Sequence, residues 1–334
     1  MPVHPKPRAP HVLILYNESP DWPDSDKAWT ARMAGHLADA LHTQGYAHHA
    51  IKIYADLSTL DDYDPREWLI WNWVEELGGQ PWTDAVAAAE FERRGFAFTG
   101  SSAQTLSLSE DRMNIKACLQ RAGLPTLPAS RFARPEQTQA WTDFPAIVKG
   151  ATQHGSFGIE GGSVVHTREQ LARRVAFMRV TFGCDSLVEH FLDTREFHVG
   201  ILGNGLGRAL PPVEYDYSAF GDMHDRLFTY QMKYDENSYG YQGLKLKCPS
   251  PADNPAWHDR LQAVAVAAYQ ALGVADYGRI DLRMLGDEPQ VLDVNPNCDI
   301  DATSALMLGA KASGLSYAQV IGQIVAHAAE RMPQ

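Results

Sequence analysis

Hydrophobic and polar positions alternate along one stretch of the chain, Tyr277 to Asn297, on both sides of a turn at residues 286–289. Apolar residues occupy alternate positions in each half: Ile280, Leu282, Met284, Leu292 and Val294. A period of two is typical of a β-strand with one buried face. The stretch is therefore predicted to be a β-hairpin.

The polar positions of this hairpin predict a metal site. With the turn centred on Asp287, Asp281 falls opposite Asp293, and Asn295 lies two residues along on the same face, with no basic residue directly between the two carboxylates. Like charges opposite each other destabilise a sheet, and oxygen ligands favour Mg²⁺ or Mn²⁺ as the compensating cation. Mg²⁺ keeps positions open for phosphate oxygens, which points to a nucleotide. A solvated hairpin face is the alternative.

Residues 1–102 alternate short apolar runs with amphipathic segments. Strands are predicted at residues 12–16, 51–54 and 68–74, and a helix at residues 29–43, where apolar residues recur every four positions. This order is typical of an α/β layer built on a doubly wound parallel sheet. We expect a first subdomain with that architecture.

Residues 103–188 combine a predicted helix with a glycine-rich loop. Ser107 and Glu110 have the spacing of a capping box, which predicts the start of a helix. A strand ending at Lys149 runs into ATQHGSFGIEGG, whose exposed amides can cradle phosphate oxygens, although the spacing is not that of a P-loop. A glycine-rich hairpin without a ligand is the alternative, and the adjacent lysine favours a nucleotide.

Residues 189–330 carry acids at a strand end and a long irregular segment. Glu189 ends an apolar run and Glu196 follows after a turn, which suits hydrogen bonding to adenine and ribose; ordinary surface carboxylates are the alternative. The tyrosine-rich residues 211–243 predict a lid, because loops of this length are uncommon otherwise. Lys233 within it could reach a phosphate, or be a solvent-exposed lysine.

Composition excludes several classes of partner. The 334 residues carry 29 Lys and Arg against 41 Asp and Glu, a formal charge of −12, without a basic tract. Nucleic acid and anionic membrane surfaces are therefore not expected as partners. The four cysteines are scattered and predict reduced, buried thiols, and no signal-peptide core is present, so a cytoplasmic protein is expected.

Taken in order, these features resemble the ATP-grasp fold and, more narrowly, the D-alanine–D-alanine ligase family. The strings that carry the resemblance include FPAIVKGATQHGSFGI, LVEHFLDTREFHVGIL, DYGRIDLRM and VLDVNPN, within residues 98–325. The resemblance implies three α/β subdomains, at residues 1–102, 103–188 and 189–330, with the nucleotide between the central and C-terminal ones. It also implies a homodimer.

The resemblance assigns most nucleotide contacts. Lys149 would contact the α- and β-phosphates, and Ser156 would cover the terminal phosphates. Glu189 would bind the adenine amino group, and Glu196 the ribose hydroxyls. Lys233 would hold the γ-phosphate of ATP.

The resemblance also assigns the reaction. Asp281, Asp293 and Asn295 would ligate two Mg²⁺ ions, with Mn²⁺ as the alternative, and Arg279 would stabilise the oxyanion of the reacting centre. The γ-phosphoryl of ATP would activate a carboxylate as an acyl phosphate, which an amine then attacks, releasing ADP and phosphate. D-alanyl-D-alanine synthesis is the default activity; a ligase for another amino acid or small peptide, and a non-catalytic nucleotide-binding protein, are the alternatives.

The substrate side departs from the family pattern. Ser304 matches a serine that binds a substrate carboxylate, Tyr234 lies beside the lid lysine, and Glu18, followed by Asp26, is the candidate for the first substrate. Arg112 replaces a common phosphate-binding lysine. Two further departures are WNWVEELGGQPW, which lacks the family's histidine, and the acids Asp299 and Asp301, which would repel a substrate carboxylate unless Ser304 and Arg283 compensate. Cys298 is expected to shape the pocket rather than react.

Overall fold

In a computed structural model, the described residues are 9–249 and 253–333. Residues 9–102 form a parallel sheet in the order β2–β1–β3, flanked by helices and followed by a two-stranded ribbon, β4–β5. The elements are β1 His11–Asn17, α1 Asp24–Thr43, β2 His48–Ile53, β3 Trp68–Trp73, β4 Glu76–Leu77, β5 Gln80–Pro81 and α2 Asp84–Arg93.

Both faces of β1 are buried, as expected of a parallel strand covered on both sides. Val12 and Ile14 pack in one apolar cluster with α1, while Leu13 and Leu15 pack in another with α2. The predicted parallel α/β layer is therefore confirmed.

The central part of the chain contains a second sheet, with the antiparallel order β6–β9–β7–β8. Its elements are α3 Ala103–Ser109, α4 Arg112–Arg121, β6 Ala129–Phe132, β7 Ala146–Gly150, β8 Val164–Val165, α5 Arg168–Phe182 and β9 Ser186–His190. The predicted capping box is wrong: Ser107 lies inside α3, and Asp111 caps α4 by accepting a hydrogen bond from the amide of Met113. The helix cap forms at Asp111, where α4 begins, and not at Ser107, where the Ser107–Glu110 spacing predicted it.

The third sheet is antiparallel, in the order β13–β12–β10–β14–β15, with β11 paired to β10. Its strands are β10 Glu196–Leu202, β11 Arg208–Ala209, β12 Val213–Asp216, β13 Lys245–Lys247, β14 Tyr277–Leu285 and β15 Glu288–Pro296. The helices are α6 Tyr230–Tyr234, α7 Tyr239–Gly243, α8 Pro255–Ala271, α9 Ala305–Ala312 and α10 Tyr317–Ala329. Residues 211–243, predicted to be irregular, thus contain a strand and two short helices.

The hairpin predicted from the alternating pattern is confirmed as β14–β15, but the alternation is wrong at Leu292, which lines the cleft, while Val291 is buried with the apolar face. Asp281 is the direct partner of Asp293, and a bulge follows between Asp281 and Leu282. The apolar side chains Ile280 and Leu282 pack beneath the sheet with α8. The polar side chains consequently face the opposite side.

Helix α10 returns to the N-terminal sheet. Val320, Ile321, Ile324 and Val325 pack in the same cluster as Val12 and Ile14 of β1. Arg331, just beyond α10, donates to both carboxylate oxygens of Asp276, at 2.6 and 2.7 Å. The end of the chain therefore stabilises its beginning.

Within residues 9–249 and 253–333, no helix combines the length and the apolar character needed to cross a bilayer. Three of the four cysteines are buried as predicted, whereas Cys248 is exposed, which corrects the expectation for that residue. It lies just after β13, an edge strand of the third sheet.

Candidate active site

One face of the third sheet carries charged side chains on three adjacent strands. Strand pairing places Glu196 opposite Arg283, His198 opposite Asp281, and Asp281 opposite Asp293. Because every second residue of a strand points to the same side, these side chains share one face. They line a cleft of about 110 Å³, together with Lys149, Ser156, Glu189, Lys233, Arg279 and Asn295.

The predicted metal-binding acids lie together but in contact with arginines. Nε of Arg279 donates to Oδ1 of Asp281 at 2.7 Å, and Nε of Arg112 donates to Asp293 at 3.3 Å. Asp281 and Asp293 remain direct strand partners, and each is paired with an arginine beside it. Burial raises the pKa of Asp281, but Arg279 and then His198 outweigh it and hold the pKa at about 2.

The donor set fits Mg²⁺. Among the described residues no three or more Cys, His, Asp or Glu side chains are arranged to hold a metal. The site instead has two carboxylates and the amide of Asn295, whose Nδ2 lies 3.0 Å from Asp281. Mg²⁺ is typically held by one or two carboxylates plus waters and substrate phosphates, so this set matches a metal that arrives with a nucleotide.

The predicted adenine-binding acid is clamped by two lysines. Glu189 is 1% exposed and forms ion pairs with Lys149 at 2.7 Å and Lys116 at 2.6 Å. Burial raises the pKa of Glu189, but Lys149 and then Lys116 lower it to about 2. Sequence reasoning missed Lys116, although its place beside Ile115 on an apolar helix face was a signal for a buried lysine.

Glu196 is held by two side chains on the same sheet. Arg283 lies 2.7 Å from Oε2 of Glu196, and Nε2 of His198 lies 2.9 Å from Oε1. Burial raises the pKa of Glu196, but Arg283 and then His198 lower it to about 2. Arg283, one of the two residues that could compensate the acids Asp299 and Asp301, is thus ion-paired with Glu196.

The glycine-rich loop and the lid segment are in direct contact. Oγ of Ser156 donates to the carbonyl of Phe228 at 2.8 Å, and Nζ of Lys233 lies 4.9 Å above the Phe228 ring. Burial, followed by the positive charge of Arg279, lowers the pKa of Lys233 to about 8. The two predicted phosphate-binding residues thus lie in the cleft.

The predicted substrate residues are not among those that line the cleft. Ser304 caps α9 by accepting from the amide of Met307 at 3.3 Å, and Tyr234 is exposed on the lid. Glu18 lies one residue beyond β1 and is paired with Lys52 at 2.8 Å. The structure brings the nucleotide and metal candidates together in the cleft and leaves these three outside its lining.

Two acids, Glu75 and Asp299, interact electrostatically, and sequence reasoning gave Glu75 no role. Glu75 is exposed, and desolvation by the surrounding protein, followed by the charge of Asp299, raises its pKa to about 6. Burial, and then Glu75 and Asp299, raise the pKa of Tyr234. The signal for Glu75 was its position in WNWVEELGG, where the family's histidine string is absent.

Cys298 lies at the start of the turn that carries Asp299. Its side chain is buried, and burial raises the pKa of its thiol to about 12. It packs in one apolar cluster with Tyr16, Trp73 and Met307. The same turn contacts the end of the first subdomain, because Oδ1 of Asn297 accepts a hydrogen bond from the amide of Ser101 at 2.8 Å.

Known proteins resemble this chain in sequence and in structure. The family model described as the D-ala D-ala ligase C-terminus matches residues 119–326. A protein of Sinorhizobium fredii, named uncharacterized protein y4sG, is 30% identical over 319 residues, covering 92% of this chain and 91% of that protein. A D-alanine–D-alanine ligase of Methylibium petroleiphilum is 30% identical over 266 residues, covering 76% of this chain and 77% of that enzyme.

A crystal structure of D-alanine–D-alanine ligase from Bacillus anthracis complexed with ATP superposes with a TM-score of 0.70. The aligned region is 17% identical in sequence and covers 96% of this chain and 98% of that chain. At this identity the superposition establishes a common fold.

Proposed function

We propose that this chain, which belongs to the D-alanine–D-alanine ligase family and has the ATP-grasp fold, joins a carboxylate to an amine with conversion of ATP to ADP and phosphate. The observation that carries the proposal is the single cleft in which Lys149, Lys233 and Arg279 lie with the acids of the β14–β15 hairpin. Three cations and two carboxylates in one cleft match a phosphate tail bound with a divalent metal.

Each side chain has a role in this reaction. Lys149 and Arg112 neutralise the phosphates, and Lys233, on the lid, holds the γ-phosphoryl group as it transfers to the substrate carboxylate. The contact of Ser156 with the lid closes the glycine-rich loop over the same group. Closure excludes water, which protects the acyl phosphate from hydrolysis before the amine attacks.

The metal site lies at the centre of the proposed reaction. Asp281, Asp293 and Asn295 would hold Mg²⁺, which supplies charge neutralisation for the transferring phosphoryl group. Arg279 is fixed by its two hydrogen bonds to Asp281 and stabilises the oxyanion that forms when the amine attacks. Arg112 leaves Asp293 for the phosphates when the nucleotide arrives, since one guanidinium cannot serve both groups fully.

The binding of the substrates follows from the three subdomains, which we place at residues 1–102, 103–188 and 189–330. Glu189 and Glu196 bind adenine and ribose between the second and third. Ser304, at the N-terminus of α9, binds a substrate carboxylate, because helix N-termini favour anions. Tyr234 closes over the substrates, and Glu18 or Asp26 binds the first one. A homodimer acting on small molecules is the proposed assembly.

A second candidate is a ligase for an amino acid or small peptide other than D-alanine. Glu75 and Asp299 add negative charge beside Tyr234, and Arg283 does not offset it because it is paired with Glu196. Acids at a substrate site favour a substrate with an additional cationic group and disfavour one with a second free carboxylate.

A substrate screen tests both candidates. Purified protein, ATP and Mg²⁺ are combined with pairs of D- and L-amino acids, ADP release is measured, and products are identified by mass spectrometry. Turnover with D-alanine alone supports the family's default reaction, and turnover that requires a basic amino acid supports the second candidate. Saturable ATP binding without amino-acid-dependent turnover in any combination would refute the ligase function and favour a nucleotide-binding protein.

A further inference from the structure

Arg283 is a buried cation in the wall of the nucleotide cleft. It is 3% exposed and donates to three oxygens: Oε2 of Glu196, the carbonyl of Leu192 and the carbonyl of Arg226. These oxygens belong to β10, to the loop before it and to the lid segment. Arg283 therefore connects three segments that surround one end of the cleft.

The guanidinium group of Arg283 is fixed in orientation. Its central carbon lies 5.0 Å from the centre of the Phe191 ring and 5.6 Å from that of Tyr217. Aromatic contacts of this kind, combined with a planar fork of donors, leave arginine little freedom to rotate. The carboxylate of Glu196, which Arg283 contacts, is therefore also held in one orientation.

The hydrogen bonds of Glu196 can be counted. A carboxylate offers about four acceptor positions on its two oxygens. Nε and Nη2 of Arg283 occupy those of Oε2, at 2.9 and 2.7 Å, and the hydroxyl of Tyr217 lies 3.4 Å from the same oxygen. Nε2 of His198 occupies one position of Oε1 at 2.9 Å. One position of Oε1 is left.

His198 keeps that arrangement in place. Its ring is buried and stacks on Tyr215 with centroids 3.8 Å apart, and its Nδ1 lies 3.4 Å from Asp281. Because both ring nitrogens face carboxylates on neighbouring strands, the ring cannot flip without losing one of them. Oε1 of Glu196 thus has a fixed direction as well as a single free position.

We propose that Arg283 is a positioning residue that, together with His198, leaves Glu196 one free acceptor, so that the protein recognises a single hydroxyl of the ATP ribose. This inference rests on the proposed function, in which Glu196 faces the ribose. A hydroxyl that donates to this carboxylate adds about ten-fold or more to affinity, since hydrogen bonds to charged groups are strong. The other hydroxyl adds little.

Nucleotide binding tests the inference directly. The affinities of the full chain for ATP, 2′-deoxy-ATP and 3′-deoxy-ATP are measured by titration calorimetry with Mg²⁺ and without amino acids. We expect one deoxynucleotide to bind about ten-fold more weakly than ATP and the other to bind within about two-fold of it. Equal losses for both, or no loss for either, would overturn the inference.

The Arg283→Met variant tests the role of the arginine. Methionine lacks the planar set of donors that orients the Glu196 carboxylate. We therefore expect the loss of affinity caused by removing the recognised ribose hydroxyl to fall from about ten-fold to about two-fold. A penalty that stays at ten-fold would show that Arg283 does not position Glu196. The measured quantity is the ratio of the affinities for ATP and for the weaker-binding deoxynucleotide. A loss of protein stability alone lowers both affinities and leaves this ratio unchanged.

Two further variants complete the design. Arg283→Lys keeps the buried charge but loses the fork, so it serves if the methionine variant does not fold, and we expect an intermediate penalty; an unchanged penalty would contradict the inference. Arg195→Met is the control, because Arg195 pairs with Glu214 on the exposed side, and its ratio should equal that of the unaltered chain.

No ATP binding by the unaltered chain would refute the proposed function itself, whereas ATP binding without hydroxyl dependence would refute only the inference.

Discussion

Replacing Lys116 by methionine tests whether the buried clamp on Glu189 stabilises the protein through charge. Glu189 is 1% exposed and has two cations within 2.7 Å. Lys116 also donates to the hydroxyl of Thr126 and the carbonyl of Leu127. Methionine has a similar length and no charge, so the change leaves the buried carboxylate with Lys149 alone.

The expected loss of unfolding free energy in the Lys116→Met variant follows from the burial of Glu189 and from its lowered pKa. Removing one partner of a buried ion pair costs about 3–5 kcal/mol, and we expect the lower end, about 3 kcal/mol, because Lys149 remains. The pKa of Glu189 is lowered from 4.5 to about 2. This lowering is the combined effect of Lys149 and then Lys116 against burial, so Lys116 supplies only part of the stabilisation of the ionised carboxylate at neutral pH.

The pH dependence has a definite sign. Because the pKa of Glu189 is lower in the folded state, its contribution is complete above the unfolded value of 4.5 and is lost as the pH falls towards 2. In the Lys116→Met variant the folded-state pKa of Glu189 lies closer to 4.5, so the ionised carboxylate contributes less stability and less is lost on acidification. The difference in unfolding free energy between the two proteins should therefore shrink on going from pH 7 to about pH 3.5.

Urea unfolding, followed by fluorescence at both pH values, measures the difference. Lys52→Met is the matched control: Lys52 and Glu18 are 2.8 Å apart, but their side chains are 56% and 21% exposed, and such pairs contribute only about 0–1 kcal/mol. A Lys116 variant as stable as the control at pH 7 would refute the reasoning. A loss that is the same at both pH values would show that Lys116 acts by packing.

Three further predictions concern the site. Asp293→Asn should lower metal-dependent turnover at least ten-fold while the protein remains folded, with a lower melting temperature because Arg112 loses its ion pair, whereas Asp287→Asn in the same hairpin should change neither; unchanged turnover in the first would contradict the metal assignment. Because Glu75 ionises near pH 6, the KM for the amino-acid substrate should fall as the pH rises from 5 to 7, and Glu75→Gln should abolish this dependence; a pH profile identical in both proteins would exclude Glu75 from substrate binding. A small alkylating reagent at pH 8 should modify the exposed Cys248 before Cys298, whose thiol stays neutral; rapid inactivation through Cys298 that substrate prevents would show a reactive thiol.

The hairpin was predictable because its two strands keep one period on both sides of a turn. That pattern predicts the hairpin, but the pairing of Asp281 with Asp293 also needs the bulge between Asp281 and Leu282, because the pairing beside the turn, Leu285 with Glu288, would otherwise place Leu292 opposite Asp281. The parallel N-terminal layer was predictable for a similar reason, since β1 is a continuous apolar run. In both cases the information is local.

Partners that come from distant segments were not predictable. Arg283 contacts Glu196 across 87 positions of the chain, and Lys116 contacts Glu189 across 73. An arginine or lysine reads as a surface residue until its burial is known, because the charge pattern does not specify its partner. The capping box at Ser107 failed for the opposite reason: the local signal was present, but a stronger one at Asp111 set the helix start.

The return of α10 to the first sheet has a consequence for synthesis of the protein. Chains emerge from the ribosome with the N-terminus first, and domains generally fold as they appear. The side of β1 that carries Val12 and Ile14, however, is completed by residues 320–325, which are translated long after β1. The nascent chain must therefore carry an incompletely covered apolar sheet until residues 320–325 have been translated, and a product truncated before them would expose that surface permanently.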